Sequence, residues 1–208
     1  MSDPTGGPRF RVLFVCTANV CRSPMAERLA RLMLGAGSPV VTRSAGVSAL
    51  PGSPMTPDAA RALARVGADP VGFCSRQLTA TLVREADLVL TATRAHRAYA
   101  VGLHPPAAAA TFTIAEFGAL AAAVSGVWVA LHRTPVARAR VLTDGVRALR
   151  GLIPVDQPDL SDPYGGSSRL YRATLRRIDA AIAAPMRLVA GPAQTPTRGG
   201  RSFVSSGL

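Results

Sequence analysis

The chain has 208 residues, 48% of them apolar and 17% charged, which excludes a disordered polar chain and fits one globular domain. Its formal net charge is +12, but lysine is absent and the 24 basic residues are all arginine. They are scattered (Arg61, Arg65, Arg76, Arg84, Arg94, Arg97, Arg138, Arg140, Arg147, Arg150) rather than run together, so no nucleic-acid partner is expected, and an anionic substrate accommodates the charge as well. Residues 10–15, FRVLFV, read as a buried strand. Residues 23–34, SPMAERLARLML, read as a helix with Ser23 as N-cap, Pro24 at the first helical position and Gly35 as its stop. A second strand is predicted over 39–45, a Gly/Pro-rich loop over 46–54, and a helix over 57–66. Residues 86–92, ADLVLTA, form a continuous apolar run, as in a strand covered on both faces. A short helix around 94–101, a strand over 111–114, and helices over 115–130, 134–150 and 167–188 complete the pattern, with a loop rich in Pro, Asp and Gly over 151–166. The expected division is an N-terminal extension (1–8), one domain (9–190) and a Gly/Pro/Ser/Thr-rich tail, 191–208, expected to be flexible.

Strands alternating with helices predict an α/β fold: three layers, a four-stranded parallel sheet with helices on both faces. Ligands of such sheets sit at the carboxyl ends of the strands, where residues 16–22 fall. The odd count of cysteines (Cys16, Cys21, Cys74) offers no disulfide framework and points to a reducing compartment. The N-terminus lacks the shape of a signal peptide, and the longest uncharged stretch, 117–131, is too short to span a membrane. A cytoplasmic protein with no membrane partner is expected.

The segment Cys16-Thr17-Ala18-Asn19-Val20-Cys21-Arg22-Ser23-Pro24 carries the chemistry. Cys16 stands where a strand ends and a helix is about to begin. Main-chain N–H groups of a loop curling into a helix N-terminus form an anion site, and they stabilise a thiolate as well as a phosphate. Arg22 closes the loop with a planar fork suited to two phosphoryl oxygens. Ser23 can donate a hydrogen bond to the cysteine thiolate. The arrangement points to Cys16 as nucleophile, Arg22 as clamp, and residues 17–23 as the phosphate cradle.

VLFVCTANVCRSPMAERL resembles the signature of the low-molecular-weight protein tyrosine phosphatases. Arg43-Ser44-Ala45-Gly46, Ser75-Arg76-Gln77-Leu78-Thr79, Ala86-Asp87-Leu88-Val89-Leu90 and Ser161-Asp162-Pro163-Tyr164-Gly165 are also similar to stretches of that family, over roughly residues 9–188. The resemblance implies hydrolysis of phosphotyrosine in proteins or peptides through a cysteinyl-phosphate intermediate, with no cofactor and no metal. His96, His104 and His132 are scattered and suggest no metal site.

A phenolate leaving group needs a proton, and the 151–166 loop offers Asp156, Asp159 and Asp162. Spacing alone does not separate them; the resemblance selects Asp162, followed by Pro163, as general acid. It also implies that Asn19, tolerant of left-handed backbone, ties the loop to Ser44, that Tyr164 flanks the substrate slot, and that Cys21 can pair reversibly with Cys16. Similar enzymes acting on phosphoarginine carry threonine where Val20 stands, so Val20 favours an aromatic ester. Three positions depart from the family pattern: Ala18 replaces glycine, Phe73 replaces a histidine that supports the loop asparagine, and Leu50 replaces an aromatic wall residue. Two other readings stand beside the phosphatase: an arsenate reductase using a small thiol cofactor, and a non-catalytic phosphate-binding module.

Overall fold

The computed structural model describes residues 7–192. Its sheet has four parallel strands, β1 (Phe10–Cys16), β2 (Val40–Gly46), β3 (Leu88–Thr91) and β4 (Thr111–Thr113), in the order β2-β1-β3-β4. Successive β1 side chains point to opposite faces. Phe10, Val12 and Phe14 join Leu88, Leu90 and Phe112 in the larger core, while Leu13 and Val15 join Val89 in the smaller. The larger face is covered by α1 (Arg22–Leu34), α2 (Pro57–Ala64), α5 (Ile114–Ala123), α7 (Pro135–Leu149) and α8 (Ser168–Ala190). The smaller face is covered by α3 (Ala80–Arg84) and α4 (Arg94–Leu103), which contribute Val83 and Ala100. The three-layer expectation holds. The switch in strand order falls between β1 and β3, so their carboxyl ends frame the crevice where α/β sheets hold ligands.

Several predicted boundaries change for local reasons. The span 115–130 is two helices, because Val124 turns to extended backbone and the Ser125 side chain caps a new helix, α6 (Gly126–Ala130), at Trp128 N. Helix α3 was not expected; Thr79 starts it by accepting from Leu82 N, and five residues are too few to show a helical period. A 3-10 turn, Pro105–Ala110, leads into β4. The predicted 57–66 helix ends at Ala64. Helix α1 begins at Arg22, not after Ser23: Cys21 is its N-cap and makes no side-chain capping bond. The Ser23 hydroxyl is thereby left for the cysteine beside it. Most of the expected N-terminal extension and of the 191–208 tail lies outside the described residues.

Candidate active site

β1 delivers Cys16 to the carboxyl edge of the sheet, level with Gly46 of β2. The loop that follows is fastened by its carbonyls: Cys16 O accepts from Val47 N and Thr17 O from Ser48 N, both at 2.9 Å. Gly46 makes this packing possible. A Cβ there would lie 2.4 Å from Thr17 O and 2.8 Å from Asn19 N, both main-chain atoms. The amide N–H groups of residues 17–21 have no acceptor among the described residues. Unpaired donors beside an uncapped helix start are the components of an oxyanion cradle.

Asn19 adopts the left-handed conformation expected of it, at φ 57°. It is buried and nearly saturated: its Nδ2 donates to Ser23 Oγ (2.9 Å) and Ser44 Oγ (2.8 Å), and its Oδ1 accepts from Arg76 N (2.8 Å). Ser44 in turn donates to Glu27 Oε2 at 2.6 Å. Glu27, only 2% exposed, keeps its other oxygen on Arg31 at 2.8 Å. Phe73 takes no part; its ring lies buried under the Arg28 guanidinium, 5.7 Å from centroid to Cζ. The hydrogen bond a histidine would have supplied is not missed, because main chain and serines satisfy the asparagine.

Ser23 Oγ is 2.9 Å from Cys16 Sγ. Once the sulfur is a thiolate, only the hydroxyl can donate across that contact. Cys21 Sγ lies against the hydroxyls of Thr56 (3.4 Å) and Tyr171 (3.6 Å), and burial pushes its thiol up from the usual range.

Arg22 is 4% exposed and held at both terminal nitrogens. Nη2 donates to Thr17 Oγ1 (3.0 Å) and Asp162 Oδ2 (2.5 Å), and Nη1 to Leu160 O (3.3 Å). Its Nε is buried and has no partner among the described residues, a donor that a bound phosphoryl oxygen would satisfy. Of the three loop aspartates, only Asp162 reaches this cavity. Asp159 is occupied by the main chain and guanidinium of Arg94, and Asp156 is exposed. The Asp162 loop is pinned to the sheet through Leu160 N on Ala92 O, 2.8 Å, just beyond β3. Asp162 Oδ1 also accepts from Tyr164 N.

These groups surround a cavity of about 130 Å³ lined by Cys16, Thr17, Ala18, Val20, Cys21, Arg22, Asp162 and Tyr164. Tyr164 is 69% exposed at its mouth. Ser44 is not in the wall but behind the loop, tied to Asn19. Leu50, 75% exposed, is not among the lining residues either. A larger hollow of about 600 Å³ lies between α1, α2 and α8 and holds no nucleophile. His96 and Glu27 were not anticipated. His96, at the start of α4, contacts the loop through Thr17 Oγ1 (3.0 Å from Nε2) and is fixed at Nδ1 by Thr93 Oγ1 (2.7 Å). Burial and the neighbouring Arg22 charge lower it from 6.5 to about 4, so it is neutral at physiological pH.

The family description "Low molecular weight phosphotyrosine protein phosphatase" matches residues 11–124. A probable low-molecular-weight protein-tyrosine-phosphatase EpsP of Ralstonia solanacearum is 38% identical over 105 residues, half of this chain and 70% of that protein. A protein-arginine-phosphatase of Geobacillus stearothermophilus is 32% identical over 173 residues, 83% of this chain and 91% of that one. The crystal structure of a low-molecular-weight protein tyrosine phosphatase from T. tengcongensis superposes with a TM-score of 0.61 at 28% identity, covering 86% of this chain and 97% of that one. The chain belongs to the low-molecular-weight phosphotyrosine protein phosphatase family and is a phosphatase.

Proposed function

We propose that the chain hydrolyses phosphotyrosine in proteins by way of a phosphate bonded to Cys16. One observation carries the reading most: a sulfur hydrogen-bonded by Ser23, a set of unpaired loop amides, a buried guanidinium with a free Nε and a carboxylate share one small cavity. In the resting state Asp162 occupies Nη2 of Arg22. A phosphoryl dianion takes that donor together with Nε, and Asp162 is released toward the ester oxygen. The Cys16 thiolate attacks phosphorus in line, an S–P bond forms and the P–O bond to the phenol breaks. Freed from Arg22, Asp162 takes up a proton from solvent and gives it to the departing oxygen. The loop amides and Arg22 hold the three equatorial oxygens throughout. Asp162, now a carboxylate, takes a proton from water as that water attacks phosphorus. The S–P bond breaks and phosphate leaves, with Ser23 holding the restored thiolate.

Substrate class rests on Val20. Val20 is among the residues lining the cavity, and its side chain can offer apolar contact to a phenyl ring but no hydrogen bond to a guanidino leaving group. Phosphoarginine is the second reading, favoured by the arginine-phosphatase relative that aligns with most of the chain. Metal-free hydrolysis of a phosphotyrosine peptide and a phosphoarginine peptide, side by side, separates them. The proposal expects the tyrosine ester to be preferred and Cys16→Ser to abolish turnover. Arsenate-dependent consumption of a small thiol in place of ester hydrolysis would point to the reductase reading.

A further inference from the structure

We propose that His96 is a positioning residue for the phosphate clamp, acting through Thr17 to set where the Arg22 guanidinium lies. The inference rests on reading Arg22 as that clamp. Arginine has only donors, so in the 3.0 Å contact between Arg22 Nη2 and Thr17 Oγ1 the threonine accepts. The hydroxyl hydrogen of Thr17 is then free for its other polar neighbour, His96 Nε2, also at 3.0 Å. In the tautomer protonated at Nδ1, Nε2 carries the lone pair that takes this hydrogen; in the other, Nε2–H donates to the same oxygen, which can accept twice. On the other side of the ring, Nδ1 lies 2.7 Å from Thr93 Oγ1 and donates to it in the first tautomer or accepts from it in the second. Thr93 is itself held as the N-cap of α4, accepting from His96 N at 3.3 Å. Either neutral tautomer satisfies every contact, and in both the groups run as one chain: Thr93 fixes His96, His96 holds the Thr17 hydroxyl, and Thr17 presents its oxygen to Arg22.

The rest of the Arg22 environment shows what this chain adds. Without Thr17, Nη2 keeps only Asp162, a half-exposed side chain in a loop, and the 3.3 Å bond from Nη1 to Leu160 O is the one other hold on the guanidinium among the described residues. His96 is 7% exposed and is not among the residues lining the cavity, so it touches no substrate. A protonated ring would donate at both nitrogens. Nε2 would donate to Thr17 Oγ1, and a second cation would face Arg22, with Asp162 and Asp159 as the opposing charges. The lowered proton affinity of the ring keeps that state away at neutral pH.

The test uses tungstate, an oxyanion whose binding needs the clamp but no chemistry at sulfur, titrated by calorimetry into wild type, His96→Leu, His96→Gln, His96→Asn, Thr17→Val and the His96→Leu/Thr17→Val double variant. A glutamine amide oxygen reaches the place of Nε2, whereas asparagine reaches only that of Nδ1. His96→Leu, His96→Asn and Thr17→Val are each expected to weaken tungstate about tenfold, the size of one hydrogen bond to a charged group, and His96→Gln to stay within about threefold of wild type. The double variant is expected to bind no more weakly than Thr17→Val, since both substitutions cut one chain. Wild-type affinity in His96→Leu, equal loss in Gln and Asn, or multiplying effects in the double variant would overturn the proposal. If His96→Leu does not fold, the Gln/Asn pair decides. Phosphotyrosine turnover is followed in parallel. A wild type that binds tungstate without turnover defeats the proposed function while the binding series still decides His96; a wild type that does not bind tungstate defeats both.

Discussion

Arg22 and Asp162 form an ion pair of 2.5 Å across the mouth of the cavity, joining a guanidinium that is almost fully buried to a carboxylate that is almost half exposed. The clamp and the proton donor thus hold each other until a phosphate separates them. Removing the carboxylate should leave the clamp intact. Asp162→Ala is expected to bind inorganic phosphate at least as well as wild type, while kcat on a phosphotyrosine peptide falls by roughly 10²–10⁴. Esters with acidic phenols, which leave without a proton, should lose much less. Inhibition constants and kcat for the two ester classes check both statements.

Gly46 is a steric requirement of the loop. The three atoms nearest an added Cβ all belong to the main chain of residues 17–19, and no rotamer change relieves them. Gly46→Ala should cost about 1–3 kcal/mol of stability and reduce kcat/KM at least about tenfold, because relief comes only by moving the cradle. Melting temperature and steady-state kinetics report the two effects.

The buried chain from Asn19 through Ser44 to Glu27 should carry more weight than the position of Phe73. Ser44→Ala removes an acceptor from Asn19 and a donor from a buried carboxylate, with an expected loss of about 1–3 kcal/mol and a fall in kcat/KM. Phe73→His should bring no gain in kcat/KM, since both N–H donors of Asn19 and one lone pair of its oxygen are already engaged. Denaturant unfolding together with kinetics of the two variants checks the contrast.

These expectations show which parts of the site were legible in the chain itself. The cradle was, because Cys16 to Ser23 is contiguous and its strand and helix are strongly patterned. Asp162 lies 140 positions from Arg22, and only the likeness of its Asp-Pro-Tyr segment to a family selected it over Asp156 and Asp159. Glu27 stands four residues before Arg31, the spacing of an exposed helix pair, and so gave no sign that α1 turns it inward to Ser44. His96 is a lone histidine on a short helix, and its contact with Thr17 spans 79 positions that only the folded sheet closes. The break between α5 and α6 did leave a signal, Ser125-Gly126, masked by the alanines and valines on either side.

His96 also makes stability depend on acid. Its proton affinity in the folded chain, about 4, lies below the ordinary 6.5. Between those values the unfolded chain binds a proton that the folded chain refuses, so stability falls as pH drops from 6.5 to 4, by roughly 3 kcal/mol in all. More than about one unit above 6.5 the residue adds no pH dependence. His96→Gln should lack this component while keeping the carboxylate contributions of wild type. Denaturant unfolding of both proteins across the interval is expected to give wild type the steeper decline; parallel curves would contradict it.

The covalent step can be observed directly. Asp162→Ala, mixed with the phosphate ester of an acidic phenol, which leaves without a proton while hydrolysis of the intermediate still lacks its base, and quenched within a turnover, should yield a digest in which the peptide bearing Cys16 has gained the mass of one phosphoryl group, with Cys21 and Cys74 unmodified. Phosphate release with no phosphoryl group on Cys16 at any quench time, or with the label on another residue, would contradict the account.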